Sequence, residues 1–332
     1  MTKTSQSGTI LLIPPEQSHI FCGCTKPYKE KTMPLTLQPL NRREFCRSVL
    51  GGTLAATFLA ASTNTLAQNA GRDRWVFLSD THIPGDPSDE RHDSNPVRNF
   101  AKVRDAVLKL EHKPQGVIIT GDIAFLVGTP EDCRQVAAQA VPLTEHGIPV
   151  HLVFGNHDHF DNFYAAFPDL KKEELPVVNK HVSVIETPNV NLFLLDSLYE
   201  TDITSGFLGW QQLRWLRNEL NARRNKPALL FAHHNLDNGA GTLMDREELW
   251  SIVRAAEQVK AYIYGHTHVY QHRVRDNVHL INLPALGWEF QSGRQPLGWS
   301  DVELSSGSIQ LTLHTIADHP QNGDVRKFDW LR

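Results

Sequence analysis

Five short apolar runs in this chain each end in a residue able to hold a metal ion, and that repetition limits the fold more than any other feature. Residues 75–79 run into Asp80-Thr81-His82, and residues 116–120 run into Gly121-Asp122. Residues 150–154 lead to Gly155-Asn156-His157-Asp158, residues 228–232 to His233-His234, and residues 261–264 to Gly265-His266-Thr267-His268. Each run has the length and β-branched or aromatic character of a buried strand. In open α/β sheets the loops at the carboxyl ends of the strands converge on one crevice, so these polar residues should meet in space. Three of the runs pass through Gly first, which permits a tight turn and a close backbone approach. A single Asp after a strand would be read as a helix cap. Five endings of one chemical type point instead to a shared centre.

Between the runs lie stretches with helical spacing, at residues 96–111, 131–145 and 208–222. In the last of these Leu213, Leu216 and Leu220 share one face, while Arg214, Arg217 and Asn218 share another. Residues 181–186 and 191–196 read as a pair of strands, and residues 278–282, 299–304 and 308–314 as late antiparallel ones. The alternation predicts an α/β protein. No linker, repeat or low-complexity stretch divides residues 70–332, which therefore read as a single domain.

The gathered residues are His, Asp and Asn, and the chain holds 17 His. A carboxylate can bridge two cations, and imidazole and amide oxygen can complete each coordination shell. The oxygen–nitrogen mixture suits manganese, iron, zinc or cobalt better than calcium. Two such cations can clamp a phosphate and acidify a water molecule.

Residues 41–67 carry a different signal. Arg42-Arg43-Glu44-Phe45 precedes an apolar stretch at residues 48–62 that is too short to span a membrane. The stretch ends at Thr65-Leu66-Ala67, with small residues at the two positions a signal peptidase reads. A buried Ala-rich helix is the alternative, but basic flank, short core and small-residue end occur in the order of an export signal. The pattern resembles a twin-arginine signal, which implies passage through the twin-arginine machinery to a bacterial periplasm or beyond. Met33 begins a conventional leader, so translation is expected to start there, with residues 1–32 lying outside the natural protein. Residues 1–67 contain seven of the 33 Lys and Arg and three of the 37 acidic residues, so the processed chain keeps 26 and 34, a net charge of −8. That sign argues against a long nucleic acid as partner. Of the four cysteines only Cys133 lies beyond residue 67, which excludes a disulfide framework and a Cys-ligated zinc site. No stable membrane span is expected after processing.

Asp80-x-His82, Gly121-Asp122, Gly155-Asn156-His157-Asp158, His233 and Gly265-His266-x-His268 together resemble, in order, the motif set of calcineurin-like metallophosphoesterases. The resemblance covers residues 75–268. It implies a four-layer αββα sandwich of two mixed β-sheets flanked by helices. It also implies a hydrolase of small phosphoesters with two divalent or trivalent ions, manganese, iron or zinc. Asp80, His82 and His268 would hold the first metal, and Asn156, His233 and His266 the second, with Asp122 bridging. Asn156, His157 and His234 would contact substrate. A hydroxide shared by the metals would attack in line, His157 would protonate the leaving oxygen, and Asp158 would orient His157.

Purple acid phosphatases of the same superfamily place an iron-ligating Tyr where this chain has Phe125, so that type is not expected. The run Leu195-Asp196-Ser197-Leu198, with Gly206-Phe207-Leu208-Gly209 and Gln212-Leu213-x-Trp215-Leu216, is similar to the class III cyclic-nucleotide phosphodiesterases. After the paired His, however, that branch commonly has two Pro, and this chain has a Gly-rich stretch, residues 235–241. An exported enzyme would also not meet cytoplasmic cyclic nucleotides. The substrate therefore stays open, with diesters ahead of monoesters. The alternatives are a nucleotidase or phospholipid-headgroup esterase on the same site, or a catalytically silent interaction module. Trp288, Phe290 and Trp299 are expected in the core, although each could stack on a base or a lipid. His92, His151, His159, His181, His272, His279 and His314 match no motif.

Overall fold

The computed structural model describes residues 36–37, 73–167, 175–290 and 293–332. The proposed signal at residues 41–67 and nearly all of the leader before it lie outside these residues. Thr36–Leu37 form a two-residue strand, β1, within the stretch read as leader.

Two mixed sheets make up the centre. The first contains β1, β2 (Asp73–Leu78), β3 (Val117–Thr120), β4 (Val150–Val153), β11 (Gly298–Leu304), β12 (Ser308–Thr315) and β13 (Val325–Asp329). Its order is β1-β4-β3-β2-β11-β12-β13, parallel across β2, β3 and β4 and antiparallel elsewhere. The second contains β5 (Ser183–Glu186), β6 (Asn191–Leu194), β7 (Ala228–Phe231), β8 (Val259–Tyr264), β9 (Gln271–Arg275) and β10 (Val278–Asn282). Its order is β5-β6-β7-β8-β10-β9, parallel from β6 to β10 with antiparallel edges. Among the described residues the helices are α1 (Pro96–Leu108), α2 (Pro130–Glu145), α3 (Phe160–Ala166), α4 (Trp210–Ala222) and α5 (Arg246–Ala255).

Alternation along each strand sorts the core into three layers. In β2, Trp75 and Phe77 face the second sheet, while Val76 and Leu78 face the layer that holds Val97, Phe100 and Val103 of α1 and Val136 and Leu143 of α2. In β7 and β8, Leu229, Phe231, Ala261 and Ile263 face the first sheet, while Leu230, Tyr262 and Tyr264 pack with Leu213, Leu216 and Leu220 of α4 and Leu249, Trp250 and Val253 of α5. Phe77 meets Phe231 edge-on between the sheets, with centroids 5.0 Å apart. This is the four-layer sandwich that the motif resemblance implied.

Local chemistry sets the helix ends. Asn95 caps α1 by accepting the Arg98 N–H at 2.8 Å, and Pro96 follows as the first helical residue. A capping box joins Thr129 and Asp132 at the start of α2. Helix α1 stops at Leu108, three residues before the expected end. Of the elements not distinguished in the sequence, α3 is only seven residues long, and β9 and β13 are half-exposed edge strands. Among the described residues no helix is long and apolar enough to cross a membrane.

Candidate metal centre

The loops after β2, β3, β4, β7 and β8 interlock at one end of the sandwich. The Asp80 N–H donates to the Gly121 carbonyl at 3.1 Å, and the His82 N–H to the Asp122 carbonyl at 2.9 Å. Across the sheets the His266 N–H donates to the Asp80 carboxylate at 3.0 Å, and within the second sheet the Gly265 N–H donates to the His233 carbonyl at 3.1 Å. Asp80, His82, Asp122, His266 and His268 all have positive φ, between 45° and 70°. Non-Gly residues rarely adopt this conformation, and five of them at one site mark a backbone held against its local preference for the sake of side-chain aim.

Three groups of donors result: Asp80, His82 and His268; His82, Asp122 and His157; and Asp122, His233 and His266. In each the ligand atoms lie within 4.8 Å of one another. Asp122 belongs to two of them. Its Oδ2 lies 3.1 Å from His233 Nε2 and 3.9 Å from the Nε2 atoms of both His82 and His157. His268 Nε2 lies 3.4 Å from Asp80 Oδ1 and 3.1 Å from His82 Nε2. Asp80, His82, Asp122, Asn156, His233 and His268 are buried, and His266 nearly so.

Backbone carbonyls choose the tautomers. His268 Nδ1 donates to the Trp288 carbonyl at 2.6 Å, and His233 Nδ1 to the Thr120 carbonyl at 2.9 Å, so each leaves Nε2 for a ligand. His266 is reversed. Its Nε2 donates to the Gly241 carbonyl at 2.5 Å, which turns Nδ1 toward His233 Nε2, 3.2 Å away. Gly is required where the loops pack: a Cβ on Gly265 would overlap Ser79 Oγ and Asp80 Oδ2, and one on Gly155 would overlap the Asp122 backbone N and Oδ1.

Burial opposes charge on Asp80, but His268 beside it holds the carboxyl down to about 2. Asp122 is likewise held well below the ordinary range, chiefly by His233 working against burial. Burial pushes His82 down to about 3 and His266 to about 4. His233 is lifted to about 9, against burial, by the Asp122 carboxylate. Two carboxylates and the unprotonated His82 and His266 imidazoles suit a cation, and a cation would displace the protons that Asp122 and Asp80 favour on His233 and His268. The residues therefore fit metal ions. A further observation agrees: the Asn156 Oδ1 atom is buried without a hydrogen-bond partner, an arrangement that costs stability unless something else satisfies it.

Two expected roles need correction. Asp158 does not orient His157; its Oδ1 accepts the N–H groups of Ile123 and Ala124, both at 2.9 Å, and its Oδ2 accepts that of Gly155 at 2.8 Å. It thereby ties the loop after β4 to the loop after β3, and burial together with nearby Asp122 pushes its carboxyl up to about 8. His157 is held instead by the Leu126 carbonyl, 2.5 Å from Nδ1. His234 is fully buried with both ring nitrogens engaged, Nδ1 with Ser197 Oγ at 2.8 Å and Nε2 with the Thr204 carbonyl at 3.1 Å. It supports the segment 204–206 rather than offering a nitrogen to substrate. The carbonyls of Leu126, Trp288 and Gly241 had no signal in the sequence, because any residue can supply a carbonyl. Trp288 and Trp299 are buried as expected, but Phe290 is 62% exposed. Its ring stacks on His268, with centroids 4.6 Å apart and planes 30° apart.

The family model for calcineurin-like phosphoesterases matches residues 74–270. A 3′,5′-cyclic-nucleotide phosphodiesterase from Nostoc sp. is 28% identical over 221 residues, covering 65% of this chain and 79% of that protein. A probable glycerophosphodiester phosphodiesterase from Arcobacter nitrofigilis is 32% identical over 204 residues, covering 58% and 71%. A 3′,5′-cyclic adenosine monophosphate phosphodiesterase from Vibrio vulnificus is 25% identical over 272 residues, covering 80% and 91%. Among solved structures, a dimetal phosphatase from Danio rerio superposes with a TM-score of 0.58 at 14% identity, covering 77% of this chain and 98% of that one. At that identity the likeness is one of fold.

Proposed function

The chain belongs to the calcineurin-like phosphoesterase family and is a phosphoric ester hydrolase; from that premise we propose that it cleaves phosphodiesters in preference to monoesters, at a centre of two metal ions. The observation that carries the two-ion reading is Asp122. Its carboxylate stands between a donor group from the loops after β2 and β8 and another from the loops after β7 and β8. Asp80, His82 and His268 would hold one ion, and Asn156, His233 and His266 the other, with Asp122 shared. When bound, manganese, iron or zinc would supply Lewis-acid stabilisation of charge on the phosphoryl oxygens and would acidify water.

The chain's own groups do the rest. The His157 N–H donates to Asp122 Oδ1 at 3.0 Å and so helps aim that carboxylate. Its Nδ1 carries a hydrogen toward the Leu126 carbonyl, which leaves Nε2 facing Asp122 Oδ2 at 3.9 Å. In the imidazolium form Nε2 carries a second hydrogen, which it can hand to a departing alkoxide, leaving His157 as the neutral Nδ1–H imidazole. Asp158 keeps the loop that bears Asn156 and His157 registered against the loop that bears Asp122. The buried walls keep bulk water from screening these charges. The diester preference rests on the three phosphodiesterase-named relatives. The test is metal-loaded hydrolysis of bis(p-nitrophenyl) phosphate against p-nitrophenyl phosphate. A higher kcat/KM for the diester is expected, and a higher value for the monoester would overturn the preference.

Export through the twin-arginine route is part of the same proposal, supported by Arg42-Arg43 and the short apolar core after them. Replacing both arginines by Lys should leave the enzyme in the cytoplasm of an expressing bacterium. Undiminished periplasmic activity would refute that route.

A further inference from the structure

We infer that the exposed Phe290 ring is a stacking platform for a planar ring carried by the phosphoester substrate, which makes Phe290 a specificity-determining residue. The inference rests on the phosphoesterase reading and narrows its substrate class. A Phe ring that is 62% exposed leaves apolar surface in water. One face of this ring lies against His268, a candidate metal ligand. Phe290 thus stands one ring away from the candidate centre, within reach of the organic substituent of a phosphoryl group bound there.

The platform is preorganised on both sides. Just before it, Trp288 stacks on His82 with centroids 4.0 Å and planes 23° apart, and its carbonyl holds His268. The buried Glu289 carboxylate beside it accepts the N–H groups of Gly293, Arg294 and Gln295 at 2.7 to 2.9 Å. His92 meets the Phe290 ring edge-on, with centroids 6.1 Å apart. It sits at the tip of a tight turn in which Arg91 and Ser94 exchange both backbone hydrogen bonds, at 2.8 and 2.9 Å, and His92 and Asp93 both have positive φ. Ser94 Oγ donates to the Gly287 carbonyl at 2.7 Å, and Asn99 Nδ2 to the Leu286 carbonyl at 2.9 Å, so the turn and the 286–290 segment form one piece. Arg91 lies over the Phe125 ring on the same lip, 4.9 Å from its centroid, and adds a cation suited to an anionic ester. Stacking needs a π-face, which a nucleobase or an aryl group has and a glycerol does not.

Calorimetric titration of the metal-loaded protein with adenosine 5′-monophosphate and with glycerol 3-phosphate tests this. Phe290→Ala should weaken the nucleotide by about 5- to 150-fold and change glycerol phosphate by no more than about twofold. Phe290→Trp should keep nucleotide affinity, and Trp210→Ala, at an aromatic that is 66% exposed but off the platform, should change neither. The inference is overturned if Phe290→Ala weakens both ligands equally or neither. It also fails if Phe290→Ala loses metal, which would make the ring a prop for His268. Binding is read without turnover, so hydrolysis of no phosphoester at all would defeat the enzymatic reading while leaving the stacking result to stand alone.

Discussion

A single methyl group placed where the two sheets meet should empty the centre without replacing any ligand. Gly265 has an ordinary φ, so Gly265→Ala introduces no backbone strain and its effect is purely steric. The new Cβ would overlap Ser79 Oγ and Asp80 Oδ2 and stand 3.0 Å from Ser79 Cβ. Ser79 and Asp80 are fully buried, and Ser79 Oγ donates to Asp80 Oδ2 at 2.5 Å, so neither can swing into solvent. Overpacking of this kind costs about 1–3 kcal/mol. Loss of an outer-shell support typically lowers metal affinity about 10- to 100-fold. Displacing Asp80 itself should exceed that, because it moves a ligand. The assay pairs metal counting after dialysis with urea unfolding of the metal-free protein. Ser79→Ala/Gly265→Ala should not rescue metal binding, since the overlap with Asp80 remains, and Gly307→Ala, with no heavy atom within 4 Å of its new Cβ, should behave as wild type. A Gly265→Ala protein with full metal content and wild-type affinity would refute the packing argument.

Three further changes probe separate parts of the account. Asp122→Ala should lose metal and activity together, as measured by metal content and diester turnover, because its Oδ2 lies 3.1 to 3.9 Å from three of the imidazoles. His157→Ala should keep its metals and lose about 10²- to 10⁴-fold in kcat on poor, alkyl leaving groups but much less on p-nitrophenolate, the split expected when a general acid is removed. His151, buried on β4 beside Trp75, is held down to about 3 by burial, against an ordinary value of about 6.5. Its contribution to stability is complete above pH 6.5 and falls as the pH drops toward 3, because the unfolded chain takes up a proton that the native chain refuses. Urea unfolding should show that His151→Phe removes about 2 kcal/mol of the stability lost between pH 7 and pH 5; an unchanged pH slope would show that the native site accepts the proton.

The strands that build the centre were legible because both of their faces are buried, which leaves an apolar run broken only where a ligand follows. The same logic failed at the edges. The segment Gln271–Arg275 forms β9 with half its side chains near water, so no apolar pattern announces it. At the site, the seven metal-ligand candidates were readable as residue types at strand ends. What orients them was not readable, because the Trp288, Thr120, Gly241 and Leu126 carbonyls carry no side-chain signature. Asp158 shows the limit of a motif: adjacency to His157 suggested a partner, but the turn after β4 aims its carboxylate at three backbone N–H groups instead. Phe290 is the converse case, since an aromatic near a run of apolar residues reads as core until the fold places it on the lip.

The most direct test of the central claim is a metal titration of the stripped protein followed by diester turnover. Two equivalents of manganese or zinc per chain should be taken up, and turnover of bis(p-nitrophenyl) phosphate should appear only as the second site fills. Full turnover at one equivalent, or turnover that survives complete removal of metal, would contradict a centre in which Asp122 is shared between two ions.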